Sequence, residues 1–153
     1  MYSPRLLARV PSARFIRLAY LSGFKLGFNK RSARDNSGKC GVYFTGNPSD
    51  VVKGVLFEID DSEKKELDRA EGEGRGYDSE QVHLQTDQGL VEAFAYIGDP
   101  IYTVPDLRPF KWYMEFIVKG AEEHGIEKAY VEKLESVPTQ MDPNPERESQ
   151  ERR

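Results

Sequence analysis

Apolar and polar residues alternate along the first two thirds of the chain in a pattern that predicts a succession of β-strands. Between residues 51 and 59, Val51, Val55, Phe57 and Ile59 fall on one face, which is the two-residue period of a half-buried strand. Comparable runs bounded by turn residues predict further strands at 13–21, 24–28, 40–44, 77–84 and 90–97. This part of the chain is therefore predicted to be rich in strands.

The spacing of apolar residues changes to a helical period after Pro109. One stripe comprises Phe110, Tyr113, Met114, Ile117 and Ala121, and a second comprises Ile126, Tyr130, Leu134 and Val137. A short, highly charged helix is also predicted at 61–71, between two strands. Because the strands come first and most helices come late, the sequence predicts an α+β fold: a bent, mostly antiparallel sheet or small barrel with flanking helices.

The last sixteen residues differ in composition from the rest of the chain. The segment PTQMDPNPERESQERR contains three prolines, no aromatic residue and a high density of charge. Such a composition offers too little apolar surface to form a core. We therefore predict one domain over residues 1–137 and a disordered, charged tail over residues 138–153.

Charge and cysteine content limit which kinds of binding partner and which cellular compartment are expected for the protein. The chain has 22 basic and 26 acidic residues, a net charge of −4, which argues against nucleic acid or an anionic membrane as a partner. No apolar run approaches the length of a membrane span. The single cysteine, Cys40, cannot form an internal disulfide, so a reducing compartment, the cytoplasm, is expected.

Few residues of the sequence suggest cofactor or metal chemistry. The two histidines, His83 and His124, lie far apart in sequence and give weak support to a metal site or a histidine-activated nucleophile. No phosphate-binding loop of either common spacing is present. We therefore expect no metal and no cofactor.

The stretch LDRAEGEGRGY, residues 67–77, is the exception. A helix end needs one glycine in the left-handed conformation, but here Gly72, Gly74 and Gly76 follow Glu71 in alternation. Either this is a loose surface turn, or something approaches the backbone closely beside the Glu71 carboxylate. A carboxylate at the C-terminal end of a helix is mildly unfavourable against the helix dipole, which hints at a functional role.

This stretch resembles the γ-glutamylcyclotransferase family, in which an LDxxEG segment precedes a glycine-rich loop and a tyrosine. Other segments agree with the family in the same order along residues 2–137. They are PSARF, LSGFKLGFNKRS, DVVKGVLFEI, EAFAYI and the pair KGAEEHGI and KAYVEKL. Each match is weak alone, but together they cover nearly all of the chain except its last sixteen residues.

The resemblance implies the cyclisation of a γ-glutamyl amine or γ-glutamyl amino acid to 5-oxoproline, with release of the amine. It implies that Glu71 is the general acid and base, and that Tyr113, Tyr77 and Gly76 contact the substrate. Each of these residues also has a purely structural interpretation. Glu71 could be a surface carboxylate, Tyr113 a core aromatic residue of its helix, and Tyr77 a core aromatic residue at the start of a strand.

One part of the family pattern is absent from the sequence as given. Members have a first strand that ends in a YGSN-type loop, whose backbone amides hold the γ-glutamyl group. The present sequence starts MYSPRLL, which is similar to the residues directly after that loop. The expectation is thus an incomplete N-terminus and weak or no activity of this form. The alternative to an enzyme is a small-molecule-binding remnant of the same fold without catalytic activity.

Overall fold

The computed structural model describes residues 2–72 and 74–153, and these residues form six strands and five α-helices. The strands are β1 (Arg14–Ser22), β2 (Phe24–Arg31), β3 (Gly38–Phe44), β4 (Val51–Glu58), β5 (Tyr77–Thr86) and β6 (Gly89–Gly98). The helices are α1 (Ser3–Leu7), α2 (Lys64–Glu71), α3 (Lys111–Glu123), α4 (Lys128–Glu135) and α5 (Pro145–Glu151). Short 3₁₀ turns at Asp61–Glu63 and Pro100–Tyr102 precede α2 and follow β6.

All the paired strands are antiparallel. Four of them form one sheet in the order β4-β1-β5-β6, and β2 and β3 form a separate hairpin. β5 and β6 are in register along their whole length, whereas β1 and β5 pair only at Tyr20 and Gln85. The predicted α+β class, with a mostly antiparallel sheet and flanking helices, is confirmed.

Three apolar clusters hold the elements together. Leu21, Val52, Val82 and Ile97 meet between the sheets, and Ala121, Ile126, Val131 and Leu134 join α3 and α4 to the strands. The third cluster consists of Val10, Ala13 and Leu67. Because Leu67 lies one turn before Glu71 on the same face of α2, this third cluster fixes the end of the helix that carries Glu71.

The predicted disorder of residues 138–153 is wrong. The indole Nε1 of Trp112 donates to Asp142 over 2.9 Å, and the guanidinium of Arg147 also donates to this carboxylate. The backbone of Gln140 exchanges two hydrogen bonds of 2.9 Å with Lys111 and Pro109. Composition was misleading here because the segment docks through polar partners on α3 rather than through apolar burial.

Helix α5 itself connects several parts of the body. Asn144 caps its first turn by accepting a hydrogen bond from the backbone of Arg147. Near the other end, the Glu151 carboxylate forms ion pairs of 2.9 Å with Arg5 of α1 and with Arg34. The last turn is therefore held by charge pairs. Within the described ranges, no helix is both long enough and apolar enough to cross a membrane.

Candidate active site

Glu71 is the last residue of α2, and the glycine-rich loop begins directly after it. Gly72 ends the helix in the left-handed conformation with φ of 75°, as expected for a helix C-terminus. Gly76 has φ of 108°, and a Cβ placed on it would lie 2.6 Å from Cε of Lys30. The Lys30 side chain therefore packs closely against the backbone of this loop at Gly76.

An irregularity in the β2–β3 hairpin gives Tyr77 and Tyr113 their partners. Gly27 pairs with Gly41 and Lys30 pairs with Lys39, so that two residues of β2 face Cys40 alone. This is the arrangement of a β-bulge, which disrupts the ladder at the bulged position. The Tyr113 hydroxyl accepts a hydrogen bond from the Cys40 N–H over 3.0 Å, and the Tyr77 hydroxyl donates to the Cys40 carbonyl.

The three predicted site side chains are electrostatically coupled. Burial raises the pKa of Tyr77 and of Tyr113 well above the ordinary range, and the negative charge of Glu71 adds to the rise for both. Burial also raises the pKa of the Cys40 thiol to about 12, so the thiol is neutral at physiological pH. The structure thus brings Tyr77 and Tyr113 together at the Cys40 backbone, and the charge of Glu71 acts on both tyrosines.

Arg9 is a partner of Glu71 that the sequence did not reveal. Its Nη1 lies 3.2 Å from Oε1 of Glu71, and the two side chains remain 44% and 35% exposed. The pair joins the turn after α1 to the end of α2. The Glu71 carboxylate is therefore oriented by a cation but is still accessible to a small molecule.

Tyr43 and Lys30 are further polar residues near this region that sequence reasoning missed. The Tyr43 hydroxyl is buried and has no hydrogen-bond partner among the described residues. A Cβ on Gly41 or Gly98 would overlap the Tyr43 side chain, at 2.4 Å and 2.6 Å. No local sequence signal identifies either residue, because their surroundings come from distant strands.

Two surface depressions lie elsewhere. One is lined by Pro145, Glu146, Ser149, Gln150 and Arg153 of the C-terminal segment, and the other by Arg31, Ala33, Ile101, Tyr102 and Val104. Neither includes Glu71. Among the residues that the structure describes, no three histidine, cysteine, aspartate or glutamate side chains are grouped to bind a metal ion.

Comparison with known proteins decides the family. The AIG2-like family model matches residues 51–134, which include Glu71, Tyr77 and Tyr113. The human and mouse proteins named γ-glutamylcyclotransferase are each 30% identical to the chain, over 141 and 143 residues. Each alignment covers 90% of this chain and 73% of the relative. The chain belongs to the γ-glutamylcyclotransferase family.

The solved structures agree with this family assignment. A structure named γ-glutamyl cyclotransferase superimposes with a TM-score of 0.81 at 27% identity, covering 93% of this chain and 85% of that one. The protein YkqA from Bacillus subtilis shares the fold, with a TM-score of 0.70 at 18% identity, over 90% of this chain and 50% of its own. The predicted γ-glutamylcyclotransferase resemblance is confirmed, while the roles of individual residues remain predictions.

Proposed function

We propose that the protein cyclises a γ-glutamyl amine or γ-glutamyl amino acid to 5-oxoproline. The α-amine nitrogen of the substrate attacks its own γ-carbonyl carbon and forms the ring C–N bond. The bond from this carbon to the departing nitrogen then breaks. Starting from the ammonium, the attacking nitrogen loses two protons. One is passed to the departing nitrogen as its bond to carbon breaks, and the released amine takes up the other, so the reaction balances without any further reactant.

In this proposal Glu71 carries the proton. The substrate amine is an ammonium at neutral pH and attacks only after it has lost a proton. The leaving nitrogen needs a proton when the bond breaks, and one carboxylate beside both atoms can perform the two transfers in turn. Because ring closure is intramolecular, the remaining task of the protein is to hold the bent conformer.

Tyr77, Tyr113 and Gly76 form the support around this carboxylate. The two tyrosine hydroxyls are bound to the Cys40 backbone, so they hold this part of β3 in place. Gly76 lets the loop pack against Lys30. We propose that the substrate lies against this surface, with its γ-carbonyl near Glu71. The single cysteine and the acidic composition support a cytoplasmic location.

The observation that supports the proposal is that, in a member of this family, Glu71 ends its helix directly before the glycine-rich loop and its charge acts on Tyr77 and Tyr113. The test is the release of 5-oxoproline from a γ-glutamyl amino acid by purified protein. We expect Glu71→Gln to lower the rate by about 10²-fold or more, because an amide cannot transfer protons. The melting temperature should change little.

Glu66→Gln is the matched control. It makes the same chemical change on the same helix, at a side chain that is 63% exposed and pairs with Arg69. This variant should keep the wild-type rate. A Glu71→Gln variant that retains wild-type turnover would contradict the proposed role.

A further inference from the structure

Lys30 is a buried cation next to the glycine-rich loop. The residue lies near the end of β2 and is only 8% exposed. Its Nζ is 4.2 Å from the centre of the Tyr77 ring and 5.9 Å from that of Tyr102. The side chain also fills the space against Gly76, where a Cβ would lie 3.1 Å from Nζ. The side chain is therefore mostly covered, and its ammonium lies beside Gly76, Tyr77 and Tyr102.

No carboxylate in the described part of the chain lies within 4.0 Å of this ammonium. The contrast with Lys39 on the neighbouring strand is informative, since Lys39 lies 2.9 Å from a carboxylate oxygen of Asp35. Burial without a counter-charge lowers the pKa of Lys30 below its ordinary value. Lysine is rarely buried unless it is paired, because desolvation of an ammonium is costly.

We propose that the Lys30 ammonium binds a carboxylate of the γ-glutamyl substrate. This inference rests on the proposed function and specifies its substrate class. Tyr77 presents its ring face to Lys30, while its hydroxyl binds Cys40 and lies within the electrostatic influence of Glu71. The Lys30 cation thus lies against a side chain on which the charge of Glu71 also acts.

The chemistry of the substrate supplies the missing counter-charge. A γ-glutamyl amino acid has one carboxylate on the carbon that bears the attacking amine and another on the departing amino acid. Either carboxylate could form an ion pair with the Lys30 ammonium. A purely structural lysine, which packs its stem and places its charge over an aromatic ring, would have no such preference for an anionic ligand.

The test is equilibrium binding measured by calorimetry in a Glu71→Gln background, so that turnover does not interfere. Three compounds are compared: a γ-glutamyl amino acid, a γ-glutamyl alkylamide and a 4-aminobutanoyl amino acid. The second lacks the carboxylate of the departing group, and the third lacks the α-carboxylate. Each is titrated into protein with Lys30, Lys30→Met or Lys30→Arg.

We expect Lys30→Met to weaken binding of the γ-glutamyl amino acid by about 10- to 100-fold, the range for a lost hydrogen bond to a charged group. The loss should disappear for one of the two compounds with a single carboxylate, which identifies the carboxylate that Lys30 contacts. Lys30→Arg should recover most of the affinity. The control Lys25→Met removes the same charge from β2 at a side chain that is 66% exposed, and should have no effect.

Equal weakening for all three compounds, no weakening, or no binding of the γ-glutamyl amino acid would overturn the inference. Comparing compounds on the same variant separates contact with the substrate from damage to the fold. Binding that depends on Lys30 in a protein whose wild type releases no 5-oxoproline would refute the proposed reaction alone. Release of 5-oxoproline together with affinities independent of Lys30 would refute the role of Lys30 alone.

Discussion

The indole N–H of Trp112 donates a hydrogen bond of 2.9 Å to Asp142 and so attaches the C-terminal segment to α3. Both groups are buried, and the Asp142 side chain is fully covered. Arg147 binds the same carboxylate from α5, at 2.8 Å through Nε. The buried carboxylate therefore has both a cation and an indole N–H as hydrogen-bond partners. Removal of the carboxylate would leave the buried indole N–H without a partner.

Deletion of residues 138–153 should therefore destabilise the protein. The deletion leaves the Trp112 N–H and the backbone of Lys111 without their partners, and each such group costs about 1–3 kcal/mol if it stays buried. For a chain of this length we expect the melting temperature to fall by about 5–15 °C. Met141→Ala, at a side chain that is 70% exposed, should have little effect. An unchanged melting temperature after the deletion would show that the docking contributes nothing.

Acid should weaken the same attachment. The pKa of Asp142 is lowered to about 2, first by its hydrogen bonds with Arg147. A carboxyl group whose pKa is lower in the folded than in the unfolded state stabilises the fold at pH values above its pKa in the unfolded state, which is near 4. This contribution is lost as the pH falls towards 2. The free energy of unfolding of the wild type, measured in urea, should thus decrease between pH 4 and pH 2.

Asp142→Asn is the control for this pH dependence, because it removes the titrating group but keeps an oxygen that accepts hydrogen bonds. We expect the variant to be less stable than the wild type at pH 7 and to lose less stability between pH 4 and pH 2. Parallel stability curves for the two proteins over this interval would exclude Asp142 as the source of the acid sensitivity.

The two tyrosines that bind Cys40 should differ in their importance for stability. Tyr113→Phe removes the acceptor of the part-buried Cys40 N–H at the bulge and should cost about 1–3 kcal/mol. Tyr77→Phe removes a donor to a carbonyl, and under-satisfied carbonyl groups are better tolerated than unpaired N–H groups. Chemical denaturation of both variants measures the difference. A greater loss for Tyr77→Phe would contradict this account of the bulge.

The features that the sequence predicted depend on local periodicity. The strand of residues 51–59 and the stripe that begins at Phe110 were predicted because their apolar positions repeat along the chain, and the structure has β4 and α3 there. The family resemblance likewise rested on short contiguous segments. Both signals can be read without knowledge of the folded chain.

The features that the sequence missed depend on partners that are distant along the chain. The sequence around Asp142 does not show whether this residue lies in a disordered tail or in a buried pair, because its partner Trp112 is thirty residues away. The bulge at Cys40 becomes visible only when Tyr77 and Tyr113 are placed beside it. Lys30 has an ordinary sequence context, and its burial follows from the loop that covers it.

Gly76 and Gly74 offer a direct test of the packing between this loop and Lys30. Both have positive φ, 108° and 74°, so alanine at either position carries a backbone cost of about 1–2 kcal/mol. Among the described residues, a Cβ at Gly74 meets no atom within 4 Å, whereas at Gly76 it meets Lys30 Cε at 2.6 Å. Gly76→Ala should therefore be more destabilising than Gly74→Ala.

The additional destabilisation by Gly76→Ala, relative to Gly74→Ala, should depend on Lys30. We expect the difference in unfolding free energy between the two alanine variants to disappear in a Lys30→Ala background, because the obstructing Cε is then absent. Denaturation of the two single variants and the two double variants, each against its parent, measures this coupling. Because Cε belongs to a long, flexible side chain, the lysine can also move aside and displace its ammonium from Tyr77. A difference that persists without Lys30 would mean that Tyr102, whose Cδ2 lies 3.2 Å from the added Cβ, is the real obstacle.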